Sequence, residues 1–361
     1  MIDFRYHLVS LISVFLALAV GIALGAGPLK EAIGDTLTGQ VDQLREEKDA
    51  LRSELDASTI DLQQAQAALG SVAPGLLDGV LAERRVALVL VDEVPADLLE
   101  QVVTRLGQAG ATVTATVRVT EAWTDPERLS FRQSLAGTLV SYLDPTPDAD
   151  AGTGTELAEA LAQGLTSAVP SDPDTLSENA SILLDLLGGD AGLIGLDGDV
   201  TVPADAVVLL SGSPETLTPT TSEHDAATLA SVEEEEPTED ALALRSARID
   251  AAVQIATALQ ARSTGAVVAG GVLTDPSVVA ALRADESTSL EVTTVEDLGT
   301  LAGQVAVPLA LAARIGGTVG HYGASAEATS PMPPRVVLPP IERLPLEADV
   351  TTDPPPAETQ G

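Results

Sequence analysis

From Leu8 to Ala26 the chain reads LVSLISVFLALAVGIALGA, without one charged side chain. As a helix rising 1.5 Å per residue this stretch covers about 28 Å, close to the ~30 Å hydrocarbon core of a bilayer. The competing reading is a cleaved signal peptide, whose apolar region runs about 7 to 15 residues; Ala23 and Gly25 supply small residues before a cleavage point. The length of the run, and a helical pattern that continues directly beyond it, favour an uncleaved anchor over residues 1–28. The α-amino group, Arg5 and His7 precede the apolar run, Asp3 offsets part of their charge, and the far side is strongly acidic. The excess of positive charge on the cytoplasmic flank then predicts a cytoplasmic N-terminus and an extracytoplasmic bulk.

The pattern after Pro28 is a different one. Leu37, Val41, Leu44, Lys48, Leu51, Leu55, Ser58, Leu62, Ala65 and Leu69 are separated alternately by four and three residues. That is a sustained heptad seam and predicts a coiled coil over residues 29–72. With Val41 and Leu55 at a, Leu37, Leu44 and Leu51 take d, and Lys48 occupies an a position. A polar a residue costs stability but restricts register and strand number. Glu47 at g and Arg52 at the following e form the interchain pair of a parallel arrangement, as do Gln40 and Arg45 more weakly. A parallel homodimer or higher homo-oligomer is therefore expected, since chains anchored in one membrane run the same way. The alternative is one amphipathic helix lying on its own globular domain. Gly70, Pro74 and Gly75 predict where the helix stops.

Charge and composition limit what the remainder does. Acidic residues number 54 against 18 basic ones, a formal charge of −36. Such a surface excludes nucleic acid, whose phosphates need a basic footprint, and leaves lipid contact to the anchor helix. The hydrophobic fraction of 45% is nevertheless enough to build a core. Lys30 and Lys48 are the sole lysines and cysteine is absent. Schiff-base, Ser-Lys and P-loop chemistry, disulfides and thiolate metal sites are thereby removed from the body.

From Arg84 onward, short β-branched runs alternate with helical stretches. Arg84–Glu93 reads as a buried strand ending in acidic residues, Pro95–Ala109 as a helix closed by Gly110, and Ala111–Val119 as a second strand. Ala206–Leu210, Ala266–Ala269 and Leu290–Thr293 read as further strands. Ala241–Arg262, Val278–Arg283 and Leu298–Ile315 read as helices. This alternation predicts one extracytoplasmic α/β domain over residues 80–325, with a parallel sheet and Rossmann-like layering. Two acidic segments, near 144–174, rich in Asp, Thr, Gly and Pro, and near 216–240, with Glu233–Glu236 beside Pro237, read as mobile loops or insertions. Residues 326–361, dense in proline, read as a disordered acidic tail.

The chain offers little chemistry. The first strand ends in Val91-Asp92-Glu93, carboxylates where a dinucleotide fold needs a glycine turn. Gly188-Gly189, Gly192 and Gly195 do not fit the required spacing. His224 and His321 stand far apart, the latter inside a Gly-rich turn, Gly316–Gly323. No catalytic or cofactor-binding residue is predicted, and the protein reads as a non-enzyme. Metal ligands are undetermined: soft-metal sites call for sulfur or imidazole, both scarce here.

The block Phe4-Arg5-Tyr6-His7-Leu8-Val9-Ser10-Leu11, followed by Val14–Ile22 and Leu24-Gly25, resembles the start of the actinobacterial MctB-like copper transporter family. The heptads, the α/β body and the stretch ending in Tyr322-Gly323 follow in the same order. The resemblance implies an envelope protein linked to copper transport or efflux, with copper as the species moved and channel formation proposed in the mycolate-type outer membrane. The family also includes SteB-like members, thought to act at the septum through a coiled coil that influences cell-wall hydrolysis. A non-catalytic scaffold with an envelope protein partner is accordingly the alternative role.

Overall fold

The computed structural model describes residues 4–212, 217 and 238–343, and for residues 24–38 the backbone path alone. The chain divides into two units, Met1–Ala68 and Leu69–Gly361. One helix, α1 (Phe4–Leu77), begins in the first and ends in the second.

Within the first unit, Phe4–Ala23 is a 20-residue apolar helix of mean hydropathy 2.1, none of it buried by protein. The heptad seam follows on the same helix. Val41, Leu44, Leu51, Leu55 and Leu62 are 40%, 62%, 65%, 52% and 59% exposed, so a leucine stripe faces solvent where an amphipathic helix normally finds a partner. Glu47, Lys48 and Arg52 are exposed as well. Glu47 Oε1 accepts a hydrogen bond from Gln43 Nε2 one turn earlier, at 2.9 Å. The side chain of Leu37 lies outside the described residues.

The second unit opens with the last turns of α1, where Leu69 is half-buried. The helix does not stop at Gly70 or Pro74, as the sequence suggested, but runs to Leu77. Proline removes one backbone donor and its ring crowds the turn before it. Here Ala73 and Leu77, both fully buried, supply the packing that outweighs that local cost.

The rest of the unit is an α/β fold around a seven-stranded sheet in the order β5-β2-β1-β6-β7-β8-β9. The strands are β1 (Arg85–Leu90), β2 (Thr112–Val119), β5 (Ile194–Leu196), β6 (Ala206–Leu210), β7 (Ala266–Ala269), β8 (Thr293–Val295) and β9 (His321–Tyr322). All neighbours are parallel except β5, which pairs antiparallel to β2. The sheet is therefore mixed rather than purely parallel. Both faces are covered, which explains why β6 and β7 read as unbroken apolar runs. Strand β1 alternates between two cores. Val86, Leu88 and Leu90 face one shared with α2 (Ala96–Gln108), α9 (Leu301–Ile315) and the end of α1. Ala87 and Val89 face the other, built from α3 (Leu129–Leu139), α4 (Thr153–Thr166), α5 (Glu178–Gly188), α6 (Glu239–Arg262) and α7 (Val278–Ala284).

Three sequence expectations change. The segment 144–174 is not a mobile insertion: it contains α4, with eight buried residues, and a two-stranded ribbon of β3 (Ala168–Val169) and β4 (Asp172–Leu176). Its acidic residues sit on the outer face while Leu157, Leu161 and Leu165 recur at helical spacing inside. The strand expected at Leu290–Thr293 starts later, as β8, because residues Glu286–Glu291 form a short helix, α8, capped by Asp285. The Pro-rich region is held to the body at least through Arg343. Met332 and Leu338 pack on the core, and three arginines bind backbone carbonyls, described below. Of the acidic segment 216–240, residues 216 and 218–237, with His224 and Glu233–Glu236, lie outside the described residues, as does the tail beyond Arg343.

Candidate functional site

The strand order reverses between β1 and β6: the chain leaves β1 toward β2, then returns to build the sheet on the other side. In open α/β sheets this switch point opens a crevice beyond the carboxyl ends of the strands. A depression of about 860 Å³ lies there, between the ends of β1, β6 and β7 and the N-terminal half of α6. A second, of about 430 Å³, adjoins it over β1 and β2. Val91, Asp92 and Arg248 border both.

Each polar group in the crevice has a structural origin. Asp92 follows the last residue of β1, and its Oδ2 accepts a hydrogen bond from the Gly212 amide at 2.8 Å. Gly212, at φ 122, follows β6. Gly270 follows β7 and lies against α7: a Cβ there would sit 2.6 Å from Val279 Cγ2, so glycine permits this close approach to the helix. From the other wall, α6 presents Arg245 and Arg248 one turn apart on one face. Arg245 Nη2 donates to the Pro276 carbonyl at 2.7 Å, and Arg248 pairs with Glu121 at 3.2 Å. The pairs engage only part of each guanidinium, which carries five donors. The sequence marked Asp92 but gave no sign of the arginines. Their signal was available as an i, i+3 basic pair on a long helix, in a body without lysine.

A second polar cluster is buried at the sheet edge. Arg283 on α7 pairs with Glu296 at 2.9 Å, their side chains 4% and 1% exposed. Arg283 also donates to Thr294 Oγ1 at 2.9 Å and Ser325 Oγ at 3.2 Å, and Glu296 Oε1 accepts the Ser325 amide at 2.5 Å. Thr294 Oγ1 lies 2.9 Å from His321 Nδ1. Burial, and then the Arg283 charge, hold the His321 imidazole below its usual value. Burial, reinforced by Glu296, raises the Asp297 carboxyl. Two glycines of the Gly316–Gly323 stretch serve this packing. A Cβ on Gly320 would strike the Tyr322 hydroxyl at 2.4 Å, and one on Gly323 would lie 1.8 Å from Glu296 Cγ. The cluster locks β8, β9 and the strap that follows, residues 323–343, together, with the Arg283 and Glu296 charges facing each other.

Three arginines fasten the strap at the opposite, amino-terminal edge of the sheet. Arg335 donates to the carbonyls of Leu76 and Asp78 at 3.1 and 2.9 Å, covering carbonyls that the end of α1 leaves open. Arg84, 5% exposed, reaches the Pro339 carbonyl at 3.0 Å. Arg343 meets Asp205 at 2.5 Å and the Glu83 carbonyl at 2.7 Å.

Among the described residues there is no group of three or more His, Cys, Asp or Glu side chains placed to hold a metal ion. A sequence model of the family described as "Copper transport outer membrane protein, MctB" matches residues 1–333. The chain belongs to the MctB family. It is 29% identical over 340 residues to proteins named "Copper transporter MctB" from Mycobacterium bovis and from two strains of Mycobacterium tuberculosis, covering 90% of this chain and 96% of each relative. The family match takes in the apolar helix, the stretch with heptad spacing and the α/β body alike.

Proposed function

We propose that this chain is a single-pass membrane protein of the cell envelope that serves copper transport or efflux. The observation that carries this reading is the match to the MctB family across both units, with relatives named copper transporters. The apolar helix Phe4–Ala23, bare of protein contacts, supports lipid as its surroundings, with the N-terminus cytoplasmic and the α/β unit outside. Copper in this reading is cargo. The chain has no cysteine, three histidines and two methionines, so a soft-donor copper site within one chain has little to be built from. The role is better served by an assembly. The exposed seam of Val41, Leu44, Leu51, Leu55 and Leu62 would close in a parallel homo-oligomer, with Lys48 setting its register and Glu47 meeting Arg52 of a second copy. The α/β unit would then act as a non-catalytic binding module.

The poor donor set and the exposed seam also favour a second reading, a septal scaffold that engages a cell-wall hydrolase. One strain set decides between them: a deletion complemented with the wild type or with Leu51→Pro, scored for cellular copper and for septal morphology. Copper that rises on deletion and falls on complementation upholds the transport reading. Unchanged copper with abnormal septa, corrected only by an intact seam, replaces it with the scaffold.

A further inference from the structure

The switch-point crevice carries an inference that stands apart from copper. We propose that it binds a small zwitterion, a free amino acid or short peptide bearing both a carboxylate and an ammonium group. Size is the first consideration. About 860 Å³ falls within the roughly 300–1,000 Å³ typical of small-molecule sites and exceeds what a lone ion fills. The location is the second: carboxyl ends of parallel strands where the strand order reverses, the place such sheets use for ligands.

The charge pattern selects the ligand class. The α6 wall offers Arg245 and Arg248, whose planar guanidinium groups suit a carboxylate through paired hydrogen bonds. The strand-end wall offers Asp92, held in orientation by the Gly212 amide, with Asp275 at the margin. A simple anion would gain from the arginines but face Asp92. A diphosphate fares worse, because the carboxylate stands where the phosphate-binding turn of a nucleotide site would be. A simple cation meets the reverse objection. A ligand whose two charges are opposite and separated satisfies both walls, and an extended dipeptide separates its termini by roughly 7 Å.

The test is calorimetric titration of the full-length chain in detergent micelles with four probes: Ala-Ala, its N-acetyl form, its C-terminal amide, and inorganic phosphate. Saturable binding of Ala-Ala is expected, weakened about tenfold or more by either block, the equivalent of one lost charge contact of about 1.4 kcal/mol. The double variant Arg245→Gln/Arg248→Gln, both positions exposed, should weaken Ala-Ala to the level of its amide and leave the amide unchanged. Its thermal midpoint, equal to wild type, confirms an intact fold. Asp92→Asn should do the same on the ammonium side. Absence of saturable Ala-Ala binding overturns the proposal, as does binding indifferent to both arginines. Phosphate binding as tightly as Ala-Ala would mark a plain anion site and overturn it too.

Discussion

Replacing Arg283 with methionine leaves the Glu296 carboxylate with the Ser325 amide and no counter-charge, at a position 1% exposed. Three other acceptors lose a donor at the same time, Thr294 Oγ1, Ser325 Oγ and the Tyr322 carbonyl. Breaking a buried ion pair on one side costs about 3–5 kcal/mol, far more than the roughly 0–1 kcal/mol of an exposed pair. For a unit of this size each kcal/mol moves the thermal midpoint by about 2–4 °C, so Arg283→Met should melt roughly 6–20 °C below wild type. The double variant Arg283→Met/Glu296→Met removes both charges and should lose clearly less than the sum of the two single variants, because neither partner is stranded. Thermal unfolding followed by circular dichroism on the full-length chain in micelles reads all four proteins. A loss below about 1 kcal/mol for Arg283→Met, or additive single losses, would falsify the view that this pair clamps the strap to β8.

The remaining expectations concern pH, the strap and the seam. Asp297, at φ 57, has its carboxyl raised above its ordinary 3.8. A raised carboxyl contributes stability that is present below pH about 4 and lost as pH rises through the folded value. Asp297→Asn, which tolerates the left-handed backbone, should therefore exceed wild type in urea midpoint at pH 7 and match it near pH 3.5; parity at both would refute the assignment. His321 is lowered from 6.5, so native stability should fall as pH drops below about 6.5, and His321→Gln should flatten that slope. Gly323→Ala, at φ 148 and with its Cβ 1.8 Å from Glu296 Cγ, should cost at least about 1–3 kcal/mol and speed proteolysis after Tyr322. Leu51→Asp should convert an oligomer to monomer in sedimentation experiments, since each lost leucine removes about 1.5–3 kcal/mol of burial; the melting of the α/β unit should not move.

Much of the fold was legible because its strands are short apolar runs bounded by clear breaks. Ala206–Leu210 and Ala266–Ala269 match the observed strands residue for residue, and the helix read at Pro95–Ala109 is α2 to within its caps. What was hidden shares a cause. In α4, Ala158, Ala160, Ala162 and Gly164 are buried, and small residues carry a weak hydrophobic signal while Asp- and Thr-rich flanks carry a strong loop signal. Helix α3 buries Arg132 beside Ala136 and Leu139, which blurs its periodicity. The short strand β5 is defined by pairing to β2, a non-local fact no window of sequence contains. The crevice was half legible: strand ends reveal where such a site lies, but Arg245 and Arg248 join it only through the packing of α6.

Arg335 and Arg343 bring the strap back to the same edge of the sheet at which α1 delivers the chain, whereas the crevice opens at the other edge. Strand β1, which runs from the one edge to the other, is about 17 Å long at ~3.3 Å per residue. Among the described residues, entry of the polypeptide from α1 and its return at Arg343 thus share one pole of the α/β unit. A fusion or label attached near Arg343 would crowd the junction with α1 without shading the crevice.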